Sequence, residues 1–292
     1  MPASKSVKLN TGAEMPTVGL GTWKSASGAV EFALKNGYTH VDTAAAYKNE
    51  KEVGAGIKAS GVPRESIFLT TKLNNPDQKE APEGLELSLK NLGTPYLDLC
   101  ALMHWPAPMT KGEPALADKT HDWLDTWKSM EALYKAHPDK LKAIGVSNFS
   151  VESLERLLAV AEVVPTVNQI EIHPSCPAED VVAFCRSKGI VTAYSPLGSD
   201  NSPLLTNAVV VKLAEKHGVS PANVLISLQA NKEGVTVLPK SVTNSRVLSN
   251  ALIIDLSDEE IKELPKIDET HHFHACHLDW TGWGGLGFPD CK

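Results

Sequence analysis

The chain has 292 residues, of which 42% are apolar and 22% charged, and its formal net charge is −7 at pH 7. This composition is ordinary for a globular protein. The acidic balance and the lack of a long basic run argue against nucleic acid or an anionic membrane as the main partner. The N-terminus lacks the apolar core of a signal peptide, and no stretch approaches the ~18 apolar residues of a membrane helix, so we predict a cytoplasmic location.

Eight short apolar runs predict strands, and helical patterns separate them. The runs are TVGLGT (17–22), YTHVD (38–42), IFLTTK (67–72), LDLCALMH (97–104), LKAIGVS (141–147), VNQIE (167–171), IVTAY (190–194) and VTVLP (235–239). Nearly continuous apolar runs are typical of strands covered on both faces. Between them, Ser220–Pro221 predicts a helix start, and Ser257 with Glu260 predicts a capping box.

The alternation of strands and helices predicts an α/β fold. We expect one domain over residues 1–292, built as a single (β/α)8 TIM barrel. A doubly wound sheet with a second domain is the alternative, but no linker or shift in composition divides the chain. Residues 270–292, called the tail below, are rich in aromatic residues and glycine without periodicity, and we predict a long loop there.

Polar side chains follow three consecutive predicted strands, at the end where an α/β barrel places its site. They are Asp42 with Tyr47, Lys72, and His104. Any one of them alone is more often a turn, rim or core residue, but four complementary groups together indicate a proton-donating set. A nearby ammonium is expected to lower the pKa of a phenol. Such a set suits carbonyl and alcohol interconversion, with a nicotinamide as the usual hydride source.

These residues lie in motifs that resemble the aldo-keto reductase family over nearly the whole chain. The motifs are GLGTW (19–23), HVDTAAAYKNEKEVG (40–54), TTKL (70–73), LMHWP (102–106), IGVSNF (144–149), VNQIEIHP (167–174), AYSPLG (193–198) and LPKSVTNSRV (238–247). The resemblance implies that Tyr47 is the general acid in reduction, that Lys72 and Asp42 tune it, and that His104 positions the substrate carbonyl. It also implies a small carbonyl or polyol substrate, in a pocket that Trp23 and Trp105 line. It further implies that the protein is a monomer.

The resemblance further implies NADPH/NADP+ as cofactor, bound in an extended form. Tyr194 matches the aromatic residue on which the nicotinamide stacks, and Lys240 and Arg246 match the pocket for the 2′-phosphate. A lysine and an arginine after a strand are also suited to phosphate by their own chemistry. The remaining cofactor positions are Gly21, Thr22, Asp42, Ser147, Asn148, Gln169, Ser195, Leu197, Ser241, Thr243 and Asn250.

The chain departs from the family pattern at several positions. Ser249 stands where many members have a glutamate that contacts adenine, and Asn74 stands where a tryptophan often follows TTKL. The tail resembles fungal members associated with glycerol dehydrogenase or glyceraldehyde reductase activity. We predict that the tail from about His274 to Lys292 forms part of the substrate pocket, through Trp280, Trp283, Leu286 and Phe288. A tail packed on the flank of the barrel as a stabilising clasp is the alternative.

Two motifs in the tail are expected to be coincidental. GWGGLG (282–287) follows no predicted strand and opens no helix, so it is not a dinucleotide fingerprint. HHFHACH (271–277) resembles a metal cluster, but a histidine-rich loop is more often polar packing, and we predict no metal. The five cysteines contain no Cys-x-x-Cys pair, which favours reduced thiols.

Three functional classes therefore remain for this sequence. The first is an NADPH-dependent reductase of small aldehydes or ketones. The second is a non-catalytic nucleotide-sensing subunit, and the third is a lens-type structural protein on the same barrel, because fold alone does not decide function. The intact set of Asp42, Tyr47, Lys72 and His104 favours the enzyme.

Overall fold

The computed structural model describes residues 5–193, 196–198, 202–276 and 281–288, in which strands and helices alternate. The strands are β1 Ser6–Lys8, β2 Glu14–Pro16, β3 Leu20–Gly21, β4 His40–Asp42, β5 Phe68–Leu73, β6 Leu99–Met103, β7 Ile144–Ser147, β8 Val167–Gln169, β9 Val191–Ala193 and β10 Val235–Thr236. The helices are α1 Ser27–Lys35, α2 Glu50–Ser60, α3 Ala81–Leu92, α4 Trp123–Ala136, α5 Val151–Leu158, α6 Glu179–Ser187, α7 Ala208–His217, α8 Pro221–Ala230, α9 Asn244–Asn250 and α10 Asp258–Glu263.

The predicted barrel is confirmed. Strands β3 to β10 pair in chain order, each parallel to the next. Parallel bridges join Val18 to Val237 and Gly21 to Lys240, so the two ends of the sheet meet. The Gly19 amide donates to the Val237 carbonyl at 2.9 Å across this seam. A parallel sheet that closes on itself and is surrounded by helices is a (β/α)8 barrel.

Two of the sequence signals for helix starts are confirmed. The Ser220 hydroxyl accepts from the Asn223 amide at the start of α8, and Pro221 is the first residue of that helix. Ser257 and Glu260 form the reciprocal capping box of α10. Both caps satisfy amides that the first helical turn leaves unpaired.

The hairpin of β1 and β2 is an element that the apolar pattern misses. Its two strands pair antiparallel, with Val7 opposite Met15. Met15 and Leu9 are buried against Phe68 and Val167, so the hairpin covers the amino-terminal end of the barrel. Three-residue strands are too short to show the period-2 alternation from which strands are predicted.

The largest apolar core fills the layer between the strands and the surrounding helices. It includes Val41 and Leu69 from the strands, and Val53, Leu89 and Trp127 from the helices. Because these side chains fix each strand, the residues at the carboxyl ends of the strands have defined positions. No helix in the described part of the chain is long and apolar enough to span a membrane.

Candidate active site

The four predicted acid–base residues lie at the carboxyl ends of three adjacent strands. Asp42 is the last residue of β4, Lys72 is the last but one of β5, and His104 directly follows β6. Tyr47 is the last residue of a 3-10 turn, Ala45–Tyr47, that follows β4. Lys48 then adopts a left-handed conformation with φ 57°, which ends the turn and leaves Tyr47 at the barrel mouth.

A buried ion pair forms the centre of this group. The Lys72 ammonium donates to Asp42 Oδ1 at 2.7 Å and to the Thr43 carbonyl at 2.8 Å. The side chains of the pair are only 1% and 4% exposed. Burial lowers the pKa of Lys72 and the Asp42 carboxylate opposes that shift. The same ammonium lies 3.5 Å from the Tyr47 hydroxyl, at the limit of a hydrogen bond.

The expected lowering of the Tyr47 pKa by Lys72 is wrong. Burial raises the pKa of Tyr47 well above its usual value, and the charge of Asp42 raises it further. The physical reason is that the ammonium charge is already balanced by Asp42, so enclosure of the phenol dominates. Tyr47 therefore keeps its proton at neutral pH, as a proton donor requires.

His104 completes the group from the other side of the cleft. Its ring centroid lies 6.0 Å from that of Tyr47, edge to face, and 6.1 Å from that of Trp105. Burial and the nearby Lys72 lower the pKa of His104 to about 3. The imidazole is therefore neutral near pH 7 and can donate a hydrogen bond without adding charge.

Three predicted cofactor residues are linked by hydrogen bonds to this group and to one another. Gln169 donates from Nε2 to Asp42 Oδ2 at 2.8 Å, across the barrel. The Ser147 hydroxyl donates to the Gln169 carbonyl at 2.7 Å, and Asn148 donates to the His104 carbonyl at 2.8 Å. Asn148 has φ 60°, a left-handed conformation that asparagine tolerates better than most residues.

A cleft of about 260 Å³ brings many of the predicted residues together. The predicted residues along it are Gly21, Thr22, Trp23, Asp42, Tyr47, His104, Trp105, Leu197 and Lys240. A Cβ on Gly21 would lie 2.9 Å from the Leu238 carbonyl, so the barrel seam requires glycine there. Trp23 is 46% exposed at the rim of the cleft.

The remaining predicted cofactor residues lie in or beside α9, outside the lining of that cleft. Thr243 and Arg246 are exposed, whereas Ser241 and Asn250 are buried. Ser249 donates to Asn223 at 3.2 Å, which ties α9 to α8 in place of the contact expected from a glutamate. Tyr194 and Ser195 lie outside the described residues.

The described parts of the tail, 270–276 and 281–288, contact the barrel mouth. The apolar side chains of Trp283, Leu286 and Phe288 pack against Trp105 and Ala107, in the loop after β6. The Trp283 indole donates to the Pro108 carbonyl at 2.9 Å. The sequence GWGGLG thus forms packed turns. Trp280 lies outside the described residues.

The histidines at the start of the tail bind separate partners. His272 pairs with Asp268 at 2.7 Å, and His271 with the Thr270 hydroxyl at 2.9 Å. His274 lies 3.4 Å from the thiol of Cys176. Within the described ranges, no three histidine, cysteine or acidic side chains are placed to hold a metal ion.

Several residues of the site were missed by sequence reasoning. Thr43 binds Lys72 through its backbone carbonyl, which no side-chain pattern reveals. Ala275 and Cys276 were not missed: they belong to the tail that the sequence assigns to the substrate pocket, and they line the cleft. Asn49 donates to the carbonyls of Thr22 and Ser25 and so fixes the loop after β3. A buried asparagine seven residues after a strand end has no distinctive sequence signal.

The whole chain is similar to proteins of known activity. The Aldo/keto reductase family matches residues 17–269. Aldehyde reductase YPR1 of Saccharomyces cerevisiae is 45% identical, with 92% of each chain covered. Glycerol 2-dehydrogenase (NADP(+)) of the same yeast is 44% identical with 96% of each chain covered, and D-galacturonate reductase of Hypocrea jecorina is 49% identical with 89% covered.

A solved structure supports the same relationship. The aldo-keto reductase AKR2E4 of Bombyx mori, in complex with NADP, superposes with a TM-score of 0.89 at 30% identity. The alignment covers 99% of this chain and 100% of that protein.

Proposed function

The chain belongs to the aldo/keto reductase family, and from this premise we propose that Tyr47, Lys72, Asp42 and His104 are its catalytic residues. The protein is an oxidoreductase that reduces carbonyl groups with NADPH. The observation that carries the assignment is the contact of one buried ammonium with both Asp42, at 2.7 Å, and the Tyr47 hydroxyl, at 3.5 Å.

In the proposed reaction, Tyr47 gives its proton to the carbonyl oxygen of the substrate. NADPH, when bound, supplies the hydride that reaches the carbonyl carbon. The positive charge of Lys72 stabilises the phenolate that remains, and Asp42 holds that ammonium in place. Neutral His104 donates a hydrogen bond that orients the carbonyl oxygen next to Tyr47. In alcohol oxidation the same phenol accepts the proton.

The residues of the cleft fit a phosphorylated dinucleotide. Lys240 lines the cleft, and Arg246 is exposed on α9, six residues further along the chain. These cations are suited to the 2′-phosphate of NADPH. The amides of Asn148 and Gln169 are suited to the carboxamide of the nicotinamide, beside the catalytic group.

The substrate that we propose is a small aldehyde or ketone, such as glyceraldehyde, a sugar or an aromatic aldehyde. Trp23, Trp105 and the tail would form the wall around it. The relatives include an aldehyde reductase, a glycerol dehydrogenase and a galacturonate reductase, so the family alone does not select among these substrates.

We further propose one domain over residues 1–292, with the segment 270–292 as its substrate loop. A monomer, a cytoplasmic location and the lack of a nucleic-acid partner also remain proposals. They are supported by the family resemblance and the acidic net charge of −7.

The test of this function is NADPH oxidation by the purified protein with a panel of carbonyl compounds. The panel contains glyceraldehyde, dihydroxyacetone, aldopentoses, uronic acids and aromatic aldehydes. We expect turnover with at least one small aldehyde, and slower turnover when NADH replaces NADPH. Tight NADPH binding without turnover of any compound would instead support the non-catalytic nucleotide-binding protein.

A further inference from the structure

Glu171 is a buried carboxylate that the proposed chemistry does not use. It lies two residues beyond the end of β8 and is only 7% exposed. A buried carboxylate is costly unless hydrogen bonds and charges compensate for its lost hydration. His173, from the same loop, supplies one of these contacts, with Nε2 2.7 Å from Glu171 Oε1.

The other polar contacts of Glu171 come from three consecutive residues of the tail. The backbone amide of Ala275 donates to Oε1 at 2.7 Å, and that of Cys276 donates to Oε2 at 3.0 Å. The imidazole of His274 lies 3.7 Å from Oε2. One side chain therefore binds the backbone of the tail, 104 positions further along the chain.

These contacts keep the carboxylate charged in spite of its burial. Burial by itself raises the pKa of Glu171, but His173, His274 and the Ala275 amide lower it further than burial raises it, well below its ordinary value. Hydrogen bonds to an ionised acceptor are stronger than those between neutral groups.

The same loop packs against the tail on both sides of Glu171. Phe273 stacks on His173 with ring centroids 4.8 Å apart, and its amide donates to the Ser175 carbonyl at 3.1 Å. Cys176 contacts His274 at 3.4 Å. The loop after β8, residues 170–178, thus supports the first part of the tail, and it is called the seat below.

The residues held by this seat reach the catalytic cleft. Ala275 and Cys276 line the cleft together with Tyr47, His104 and Trp105. Any movement of this backbone would change the shape of the wall that faces the proton donor.

We propose that Glu171 is a positioning residue, which holds Ala275 and Cys276 in the wall of the cleft and thereby sets which carbonyl substrates fit. The part about substrates rests on the proposed function, in which the tail lines the substrate pocket. The part about the wall rests on the contacts alone.

The first test measures the position of the wall without reference to activity. Cys276 is a reduced, partly exposed thiol, so its alkylation by iodoacetamide can be followed by peptide mass spectrometry in the full-length protein. Glu171→Gln replaces an acceptor with an amide donor that faces a backbone N–H. We expect Cys276 to be alkylated at least about tenfold faster, equivalent to about 1.4 kcal/mol.

The matched control is Glu179→Gln. Glu179 is an exposed carboxylate at the start of α6. It lines a cavity of about 450 Å³ between this loop and the tail, and Glu171 lines the same cavity. We expect this variant to show the wild-type alkylation rate. Equal acceleration in both variants would mean that charge in the cavity, and not the seat at Glu171, protects the thiol, and would overturn the proposal.

The second test compares substrates. We expect Glu171→Gln to change the ratio of kcat/KM between glyceraldehyde and a bulky aromatic aldehyde by about tenfold, while the Kd of NADPH stays within about twofold. If alkylation accelerates but the ratio stays fixed, the role of the tail in substrate choice is wrong and the role of Glu171 in holding it stands. Unchanged alkylation of Cys276 in a folded Glu171→Gln protein would overturn the positioning role.

If Glu171→Gln does not fold, Glu171→Asp provides the same test. It keeps the buried charge but withdraws the carboxylate by about 1.5 Å, one carbon–carbon bond. We expect faster alkylation of Cys276 than in the wild type with NADPH binding retained, and a wild-type rate would contradict the proposal.

Discussion

At the scale of single residues, the proposed chemistry depends on how Tyr47 is enclosed. Its phenol keeps its proton because burial and the charge of Asp42 raise its pKa. Lys72 lies 3.5 Å away, where its charge can act once the proton has left. The phenol therefore holds the proton to be donated, and the Lys72 ammonium can stabilise the phenolate that remains.

Removing the Tyr47 hydroxyl tests this assignment. We expect Tyr47→Phe to lower kcat for aldehyde reduction by about 10² or more, because the positioned proton donor is lost. The Kd of NADPH, measured by quenching of protein fluorescence, is expected to change little. Near-normal turnover would show that Tyr47 does not supply the proton.

Tyr38→Phe is the matched control for that variant. The Tyr38 hydroxyl is buried and donates to the Val247 carbonyl at 2.9 Å, away from the cleft. We expect this variant to lose about 1 kcal/mol of unfolding free energy, the net contribution of one hydrogen bond, and to keep its kcat. A loss of kcat equal to that of Tyr47→Phe would show that removal of any buried hydroxyl impairs catalysis.

Two histidines with lowered pKa values, buried His40 and half-buried His104, make the stability depend on pH. Burial lowers the pKa of His40 to about 4 and that of His104 to about 3. In the unfolded chain both have a pKa of about 6.5, so below that pH the unfolded state binds more protons. The free energy of unfolding should therefore fall as the pH falls from about 6.5 to about 4, by up to about 1.4 kcal/mol per pH unit for each histidine.

Urea denaturation at several pH values in this window measures the effect. His40→Gln is expected to reduce the slope of unfolding free energy against pH, because one of the two histidines no longer titrates. His271→Gln, at an exposed histidine, is expected to leave the slope unchanged. If His40→Gln leaves the slope unchanged, the lowered pKa of His40 is not a cause of the pH dependence.

At the scale of elements, short strands fix the site and the connections after them supply the functional groups. β3 has two residues and β4 three, yet Asp42 ends β4 in register with Thr70 of the next strand. Lys240 lies beyond β10, opposite Gly21 across the barrel seam, and Arg246 belongs to α9. The connection from β10 to α9 therefore carries the cations proposed for the 2′-phosphate.

Neutralising this connection should change the choice of cofactor. We expect the double variant Lys240→Gln, Arg246→Gln to weaken NADPH binding by about 10² or more, since hydrogen bonds to charged groups contribute about 1.5–3 kcal/mol each. NADH affinity should stay nearly unchanged, because NADH lacks the 2′-phosphate. Fluorescence titration with both cofactors measures the difference.

Lys212→Gln removes an exposed lysine from α7 and serves as the control for the change in net charge. We expect it to leave both affinities unaltered. Equal losses for NADPH and NADH in the double variant would show that these cations do not contact the 2′-phosphate.

At the scale of the whole molecule, the barrel and the tail contribute to different properties of the protein. The main core lies between strands and helices, and it is formed almost entirely by residues before the tail. The tail adds a small apolar cluster with Trp105 and Ala107 over the barrel mouth. Stability should therefore depend mainly on the barrel, and substrate choice on the tail.

Deleting residues after Cys276 tests this division. We expect the ranking of carbonyl substrates by kcat/KM to change, while NADPH affinity is retained and thermal stability falls little. The measurements are the carbonyl panel, cofactor titration and a melting curve. A large loss of stability, with every substrate depressed by the same factor, would show that the tail is only a structural clasp.

The sequence by itself determined the barrel and the strand-end positions of Asp42, Lys72 and His104. Local apolar runs decide where strands form, and parallel strands in chain order place their carboxyl ends on one face. The proximity of these residues could therefore be inferred before any distance was known. The hairpin of β1 and β2 was missed because its strands are too short for a periodic pattern.

Only the tertiary structure decided the electrostatics and the wall of the cleft. The direction of the pKa shift of Tyr47 depends on how completely the phenol is enclosed, which no motif encodes. The hydrogen bonds from Gln169 to Asp42 and from Ala275 and Cys276 to Glu171 join residues more than a hundred positions apart. Such contacts exist only after the barrel has closed and the tail has packed against its mouth, because local sequence patterns carry no information about them.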